Sequence, residues 1–380
     1  MAAALRGGRY AATMPDESGL PVPPRASFEP VLPTDPNLIN LGDYERVAAE
    51  RLAPGPLAYF TGGAGDEITL RDNRAAFARQ AIVPRVMRDV SSVDPSVELL
   101  GRRWPSPIFI APTALQRMAH PDGELATARA AAARGVTLAV STSSSTDLAE
   151  IAAVGGPRWF QVYLLADPGA RRALVERAVA QGYEALVLTV DLARIGRRER
   201  DLRVGFRIPE GVEIPNVANA AGVTPAEVAS VAFVDQMTWP DLEWVAGFGL
   251  PVIVKGILHP DDAQLAIEHG AAGIGVSNHG GRQLDGAIAA LDALPAVVDA
   301  VGGRVPVLLD GGVRRGTDVL VSLAIGATAV GIGRPVIWGL AVDGEAGVGN
   351  VLDLLRAEFE TAMALSGAAS CVDLTPEFLA

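Results

Sequence analysis

Eight short apolar runs, each followed by a turn and a helix-like segment, constrain the fold of this chain more than any other feature. The runs are PIFIAPT (107–113), TLAVST (137–142), RWFQVYL (158–164), ALVLTVD (185–191), PVIVKGI (251–257), GIGVSNH (273–279), PVLLDGG (306–312) and AVGIGRP (329–335). Their nearly continuous apolarity is typical of parallel strands that are buried on both faces. Eight strand–helix units in about 250 residues predict a closed (β/α)8 TIM barrel, with a doubly wound open sheet as the alternative.

The segments around these runs carry helix signals. Asp167 precedes Pro168 and is expected to cap a helix, and Thr317 is expected to cap the helix that Gly326 ends. After Asn40, the stretches LGDYERVAAERL and PLAYF predict an N-terminal helical segment ahead of the barrel.

The spacing of the runs and the proline content predict the domain organisation. Residues 1–38 are rich in Pro, Gly and Ala and predict an extended or disordered arm, followed by a single barrel domain over 39–380. The gap between the fourth and fifth runs is much wider than the others, so we expect a long lid loop after strand 4, around residues 199–240. Within it, Thr224 and Glu227 have the spacing of a capping box.

Charge and composition exclude several classes of function. The net charge of −12 argues against nucleic-acid binding, because phosphate recognition requires basic surface. No apolar stretch approaches 18 residues, so we expect no membrane association. Cys371 is the single cysteine, which excludes an internal disulfide and a multi-cysteine metal site. We expect a cytoplasmic protein without a signal peptide and without a metal site.

Polar residues end almost every apolar run, and barrel active sites lie at the carboxyl ends of the strands. The polar residues are Thr113, Ser141, Gln161, Tyr163, Thr189, Asp191, Lys255, Ser277, Asn278, His279, Asp310 and Arg334, and Pro112, Ala114, Gly312 and Gly333 lie beside them at the strand ends. Burying unpaired polar groups is costly, so we expect them to satisfy one another or a ligand. The pattern predicts a polar active-site cup.

Two parts of this cup have a specific chemistry. His279, followed by Gly280-Gly281-Arg282, is a candidate general base with Asp191 as its orienting carboxylate. The glycine-rich ends DGGVRRGTD and GIGRP, with Arg314 and Arg334, predict a phosphate-binding site at strands 7 and 8.

The sequence resembles the FMN-dependent α-hydroxy acid oxidase/dehydrogenase family, which includes glycolate oxidase, lactate oxidase and mandelate dehydrogenase. The motifs that carry the resemblance extend from about residue 41 to residue 371. They are YFTGGAGDEITLRDNRAAF (59–77), IAPTALQRMAHPDGELATARAA (110–131), WFQVYL (159–164), TVDLARIGRRERD (189–201), VKGI (254–257), SNHGGRQLDGA (277–287) and LLDGGVRRGTD (308–318).

The resemblance implies roles for individual residues. His279 is the expected catalytic base and Asp191 its partner, while Lys255 is the expected cation beside the flavin. The expected substrate-binding residues are Tyr59, Tyr163, Arg198, Arg282 and Ser143, of which Tyr59, Tyr163 and Arg282 also belong to the expected catalytic set. The resemblance further implies an FMN site formed by Pro112, Thr113, Ala114, Ser141, Gln161, Thr189, Lys255, Ser277, Asp310, Gly312, Arg314, Gly333 and Arg334.

The implied reaction is the oxidation of an L-2-hydroxy acid to a 2-oxo acid, with dioxygen reduced to hydrogen peroxide. The chain is expected to form a homotetramer or a larger assembly. Alternatives are a dehydrogenase that uses another electron acceptor, a flavin-barrel isomerase, a non-catalytic flavin scaffold and a phosphate-binding barrel without flavin.

Three positions bear on the specificity within this family. Ser143 stands where members often carry an aromatic side chain, which predicts a roomier pocket and a substrate larger than glycolate. Ala114 in place of glycine favours an oxidase over a dehydrogenase. Leu192-Ala193 replaces a common Thr-Pro, and only a local backbone effect is expected there.

Overall fold

The eight predicted strands are all present in the computed structural model, which describes residues 36–380. Ten strands are found in this range: β1 (Val97–Leu99), β2 (Arg102–Trp104), β3 (Ile108–Ile110), β4 (Leu138–Ser141), β5 (Arg158–Val162), β6 (Leu186–Thr189), β7 (Val252–Ile257), β8 (Gly273–Val276), β9 (Val307–Asp310) and β10 (Ala329–Ile332). Strands β3 to β10 pair in parallel as a closed barrel, and the pairing of Val330 with Ile108 completes it. The predicted TIM barrel is confirmed, and the open sheet is excluded.

Helices surround the barrel and precede it. They are α1 (Leu41–Arg51), α2 (Pro54–Thr61), α3 (Ile68–Ala78), α4 (Gly123–Ala133), α5 (Leu148–Val154), α6 (Pro168–Ala180), α7 (Glu199–Arg203), α8 (Pro215–Ala221), α9 (Trp239–Ala246), α10 (Pro260–Glu268), α11 (Ala290–Val301), α12 (Gly316–Ile325) and α13 (Arg334–Ser366). The Asn40 side chain accepts hydrogen bonds from the backbone N–H groups of Gly42 and Asp43 and so caps α1. The predicted N-terminal helical segment is thereby confirmed.

Two of the three predicted helix caps form. The Asp167 carboxylate accepts the backbone N–H of Ala170 at 2.7 Å, and Thr224 forms its capping box with Glu227. The expectation for Thr317 is wrong, because α12 begins one residue earlier, at Gly316. The Asp318 carboxylate reaches back to accept the backbone N–H groups of Arg314 and Arg315, and it takes the place of a hydroxyl cap.

The long segment between β6 and β7 has structure of its own. It contains α7, α8, a short 3-10 helix (Pro225–Ser230) and α9. Its later part returns to the barrel, where the backbone N–H of Val234 bonds to the carbonyl of Leu164 at 2.8 Å. Phe233 also forms an isolated bridge with Leu165, just beyond β5. The segment therefore lies against the carboxyl end of the barrel, as expected for a lid.

The amino end of the barrel is closed by the β1–β2 hairpin, which the sequence reading missed. Trp104 from this hairpin packs on Trp159 and Phe109, with ring centroids 5.3 and 6.3 Å away. These rings belong to an apolar cluster that fills the barrel interior at this end. The opposite, carboxyl end is left for polar side chains.

Most of the predicted arm, 1–38, lies outside the described residues, and the boundaries of the single domain stay predictions. Across residues 36–380, no helix is both long and apolar enough to cross a membrane.

Candidate active site

A cavity of about 440 Å³ opens at the carboxyl ends of the barrel strands. Most of the residues predicted for the site line it: Tyr59, Pro112, Thr113, Ala114, Ser141, Ser143, Tyr163, Thr189, Arg198, Lys255, His279, Arg282, Asp310, Gly312, Arg314, Gly333 and Arg334. Asp191, Gln161 and Ser277 lie behind this wall and bond to side chains that form it, and Asn278 is buried behind it and bonds to Asn73. The structure thus brings the whole predicted set together.

His279 and Asp191 form a buried pair. The Nδ1 atom of His279 lies 2.9 Å from Oδ1 of Asp191, so Nε2 is the ring nitrogen left for a substrate. Burial lowers the pKa of His279 below its usual value, although attraction by Asp191 opposes this shift. Burial alone raises the pKa of Asp191, but attraction by His279 and Lys255 outweighs it and keeps the pKa below its usual value. The pair therefore combines a neutral imidazole with an ionised carboxylate.

His279 has a backbone conformation that side chains rarely adopt. Its φ angle is 58°, in the left-handed region, at the start of a 3-10 turn (His279–Gly281). The Ser277 hydroxyl accepts its backbone N–H at 3.1 Å. Such conformations cost about 1–3 kcal/mol and are common at functional sites.

Lys255 forms a buried chain of polar contacts at the end of β7. Its Nζ donates to the Ser277 hydroxyl at 3.0 Å and lies 3.5 Å from the Asp310 carboxylate. The Ser277 hydroxyl in turn donates to Asp310 at 2.6 Å. Burial lowers the pKa of Lys255, but attraction by Asp310 and Asp191 outweighs it, and the net shift is upward. A permanent cation is therefore held at the cavity wall.

Gln161 organises the neighbouring wall from behind. Its amide nitrogen donates to the Thr189 hydroxyl at 3.1 Å, and its amide oxygen accepts from the Ser141 hydroxyl at 3.2 Å. All three side chains are buried. The hydroxyls of strands β4 and β6 are thus held in fixed positions beside the cavity.

Arg282 and two tyrosines form another part of the wall. The Arg282 guanidinium donates to the carbonyls of Tyr59 and Gly62 at 2.5 and 2.9 Å and lies 5.0 Å from the centre of the Tyr59 ring. Burial lowers the pKa of Arg282 to about 10, which still leaves it charged at neutral pH. Burial raises the pKa of Tyr163, so its phenol stays protonated and able to donate.

The glycine-rich turn after β9 faces the cavity at its other end. Gly312 has a φ of 90°, and a Cβ atom there would lie 2.1 Å from the carbonyl oxygen of Asn73. Arg314 stacks over the Trp338 ring at 4.6 Å, and burial lowers its pKa to about 10. The N-terminus of α13 begins next to this turn, after Gly333. Backbone N–H groups, a helix N-terminus and a guanidinium therefore converge, as in phosphate sites.

Arg334 has a different environment from Arg314. Its three guanidinium nitrogens each donate at 3.0 Å to a backbone carbonyl, those of Phe60, Gly280 and Gly62. It lines the cavity while it ties α2 to the turn that carries His279. Its positive charge contributes to the site, and three of its five N–H donors are used by the protein.

Lys255 is paired with Asp310, but four of the arginines that line the cavity have no carboxylate partner within 4 Å in the described part of the chain: Arg198, Arg282, Arg314 and Arg334. Arg198 also has a buried Nε atom without a hydrogen-bond partner. Leaving buried cations unpaired is costly, so the cavity is built for anionic ligands.

Sequence reasoning missed several residues that support the site. One is Asn73, which exchanges two amide hydrogen bonds of 2.8 Å with Asn278 of the predicted cup and fixes α3 against the end of β8. Glu124 and Asp318 are buried carboxylates, and Phe233 of the long segment lines the cavity opposite Tyr163. Asn73 lies on the buried face of α3 with Thr69, and Glu124 on that of α4 with Thr127, so polar residues at core-facing helix positions were the available signal.

The fold and the site define a TIM-barrel protein that binds an anionic cofactor or substrate next to a histidine–aspartate pair. The family model described as FMN-dependent dehydrogenase matches residues 48–380, and the chain belongs to this family.

Individual relatives agree with this assignment. An L-lactate oxidase from Nostoc sp. is 50% identical over 356 residues, which cover 90% of this chain and 98% of that protein. A glycolate oxidase from Spinacia oleracea is 44% identical over 355 residues, covering 90% of this chain and 96% of that one. The crystal structure of mandelate oxidase is 45% identical and superposes with a TM-score of 0.83, covering 90% of this chain and 98% of the other.

Proposed function

We propose that the protein uses FMN to oxidise an L-2-hydroxy acid to a 2-oxo acid and passes the electrons to dioxygen. One observation carries this proposal: the His279–Asp191 pair faces the same cavity as Arg282, a buried cation without a carboxylate partner. A base beside a carboxylate-binding group matches a substrate with a hydroxyl next to a carboxylate.

The residues of the cavity fit FMN. The glycine turn at Gly312, the Arg314 guanidinium and the start of α13 after Gly333 suit a phosphate group. The hydroxyls and amide of Ser141, Gln161 and Thr189, together with Pro112, Thr113 and Ala114, offer a wall of backbone and small polar groups for a flavin ring, and Ser277 and Asp310 hold Lys255 beside it. Bound FMN supplies the two-electron acceptor of the reaction, which dioxygen reoxidises with formation of hydrogen peroxide.

The protein's own residues bind and orient the substrate. Arg282, Arg198 and Tyr59 hold the substrate carboxylate, and the protonated Tyr163 phenol donates a hydrogen bond to the substrate. Because Nδ1 of His279 faces Asp191, the free Nε2 accepts the proton that leaves the substrate. Asp191 then stabilises the imidazolium. Lys255 would hold a buried positive charge beside bound FMN and stabilise the negative charge of the reduced cofactor.

The relatives are named for small 2-hydroxy acids: lactate, glycolate and mandelate. Ser143 and the apolar side chains of Leu192, Ile195 and Phe233 line the cavity of this chain. We infer that the substrate carries an apolar side chain larger than that of glycolate.

The proposal is tested by anaerobic titration of the FMN-loaded protein with glycolate, L-lactate, L-2-hydroxy-4-methylpentanoate and L-mandelate. Bleaching of the flavin by at least one acid is expected, and air should restore the yellow colour with release of peroxide. Bleaching that only an artificial acceptor reverses would indicate a dehydrogenase. A yellow protein that no acid bleaches would favour the isomerase alternative.

His279→Gln is the matched variant for this titration. The variant should keep bound FMN, because His279 is not among the residues that fit the cofactor. Its rate of flavin reduction should fall by a factor of about 10²–10⁴. Unchanged reduction would refute the role of His279 as the base.

We also propose that the protein acts in the cytoplasm as a homotetramer or a larger assembly. Exposed apolar side chains on two adjacent segments support self-association: Val86 and Met87 on one, and Leu365 on the other. A 2.8 Å hydrogen bond from the Arg85 backbone to the Ser366 carbonyl joins the two segments. Sedimentation velocity of the holoenzyme would measure the assembly, and Met87→Glu should shift it towards monomer.

A further inference from the structure

Glu124 is a buried carboxylate that plays no part in the proposed reaction. It lies in the first turn of α4 with only 2% of its surface exposed. One carboxylate oxygen accepts the backbone N–H groups of Gln116 and Ser145 at 3.0 and 2.8 Å. The other accepts the hydroxyls of Ser145 and Thr146 at 2.7 and 3.1 Å. Within residues 36–380, no cationic side chain lies within 4 Å of the Glu124 carboxylate. The desolvation of this carboxylate is therefore offset by hydrogen bonds from four neutral donors.

These donors come from two different loops at the carboxyl end of the barrel. Gln116 belongs to the loop after β3, which contains Thr113 and Ala114 of the cavity wall. Ser145 belongs to the loop after β4, which contains Ser143 of the same cavity. Glu124 itself lies outside the cavity, at the start of the helix that ends the loop after β3 and 21 residues before Ser145. Its carboxylate therefore acts as a clamp between two segments of the wall.

Further contacts depend on the spacing that this clamp sets. The backbone N–H of Leu115 bonds to the carbonyl of Ser143 at 3.2 Å, and that of Arg117 to the Ser145 hydroxyl at 2.9 Å. Leu115 has a φ of 59°, an unfavourable conformation for leucine that must be held by its surroundings. Without the carboxylate, two buried backbone N–H groups would lose their acceptor.

We propose that Glu124 is a positioning residue that fixes the distance between the flavin-facing wall at Thr113–Ala114 and the substrate-facing wall at Ser143. It thereby determines which sizes of 2-hydroxy acid side chain the enzyme accepts. This inference rests on the proposed function. Hydrogen bonds to a carboxylate are stronger than hydrogen bonds between neutral groups. A carboxylate can therefore hold the two loops at a fixed distance from each other.

Glu124→Gln tests this role, because it keeps the size of the side chain but replaces one acceptor oxygen by a donor. Thr146→Val is a milder second variant that removes one hydroxyl donor and keeps the shape. The control is Asp147→Asn. Asp147 lies on the same loop as Thr146 and caps α5 by accepting the Ala149 N–H at 2.8 Å, but it makes no contact with the loop after β3.

The first measurement is amide hydrogen exchange on the FMN-loaded proteins, which needs no turnover. In Glu124→Gln, exchange should increase together in residues 113–118 and 143–146. In Asp147→Asn, it should increase around the start of α5 and around Arg177 and Asn219, which also bond to the Asp147 carboxylate, but not in residues 113–118. Unchanged protection of both loops in the Glu124 variant, or a change in one loop alone, would overturn the proposal.

The second measurement is the ratio of kcat/KM for L-2-hydroxy-4-methylpentanoate to that for glycolate. Loss of one charge-assisted hydrogen bond should change this ratio about tenfold in Glu124→Gln, mainly through KM, and less in Thr146→Val. The acid limb of the pH profile should not move, since His279 is unaltered. An equal change of the ratio in Asp147→Asn would show a general loss of stability and refute a positioning role. If no acid reduces the wild-type flavin, the proposed function fails, and the exchange measurement still decides the role of Glu124.

Discussion

The His279–Asp191 pair makes the most direct prediction, because its geometry gives both a magnitude and a sign. The Asp191→Asn variant keeps the size of the side chain but removes its charge. With an N–O distance of 2.9 Å, the charge centres of the pair lie about 4 Å apart. At the effective dielectric constant that suits protein sites, this attraction is about 4 kcal/mol. The imidazolium that forms in the reaction loses this stabilisation.

An attraction of this size corresponds to about three pKa units of His279, or about a thousandfold in rate as an upper limit. The retained amide oxygen can still accept the Nδ1–H hydrogen bond, so we expect the rate of flavin reduction to fall by about 10²–10³. The assay is anaerobic stopped-flow reduction of the bound flavin over a range of pH, at saturating substrate.

The pH dependence provides an independent check of the sign. Neutral His279 is the active form, so the reduction rate falls as the pH drops through the pKa of His279. Burial already places this pKa below its usual value, and Asp191 is the carboxylate that opposes the shift. Removing the Asp191 charge lowers the pKa further, so the acid limb should move to lower pH while the plateau rate falls.

Asp201→Asn is the control for this experiment. Asp201 is a partly buried carboxylate near Arg282 and Arg198, without a hydrogen bond to His279. Its variant should leave the acid limb in place. The reasoning would be refuted if Asp191→Asn moved the limb to higher pH, or if its plateau rate stayed within threefold of the wild type.

Three other substitutions test separate parts of the site. Lys255→Met removes the buried cation and should slow flavin reduction at least tenfold in the same assay; a wild-type rate would contradict its role. Ser143→Trp fills the substrate side of the cavity and should shift kcat/KM in favour of glycolate over L-mandelate, whereas an unchanged profile would place Ser143 outside the substrate pocket. Gly312→Ala introduces a side chain at a φ of 90° and 2.1 Å from the Asn73 carbonyl oxygen. The Gly312→Ala variant should lower the free energy of unfolding by about 1–3 kcal/mol, as measured by thermal unfolding. It should also weaken FMN binding, as measured by flavin fluorescence.

The barrel could be predicted because its strands are buried on both faces, which leaves nearly continuous apolar runs in the sequence. The β1–β2 hairpin could not, because its two strands are only three residues long and Arg102 and Arg103 are exposed. Such strands have no hydrophobic period to detect. The Thr317 side chain suits a cap, but α12 begins at Gly316 and places Thr317 inside the first turn, while the Asp318 carboxylate accepts the backbone N–H groups of Arg314 and Arg315.

In the candidate site, too, some residues could be predicted from the sequence and others could not. Residues at strand ends, such as Lys255 and His279, were identifiable because a polar group after an apolar run is unusual, and the family resemblance suggested roles for them. Glu124 and Asn73 were missed, because they lie within helices and bond to groups of the loops after β3, β4 and β8. Their importance depends on which backbone groups the fold brings to them, and a single sequence does not contain that information.

The closed amino end of the barrel determines the side from which the substrate enters and the product leaves. The β1–β2 hairpin and the rings of Trp104, Phe109 and Trp159 occupy that end, so His279 is approached from the carboxyl end, beside the segment that carries Phe233. A hydroxy acid that enters and an oxo acid that leaves through this cavity therefore pass the same opening. An oxo acid that has not left this opening blocks the entry of the next hydroxy acid.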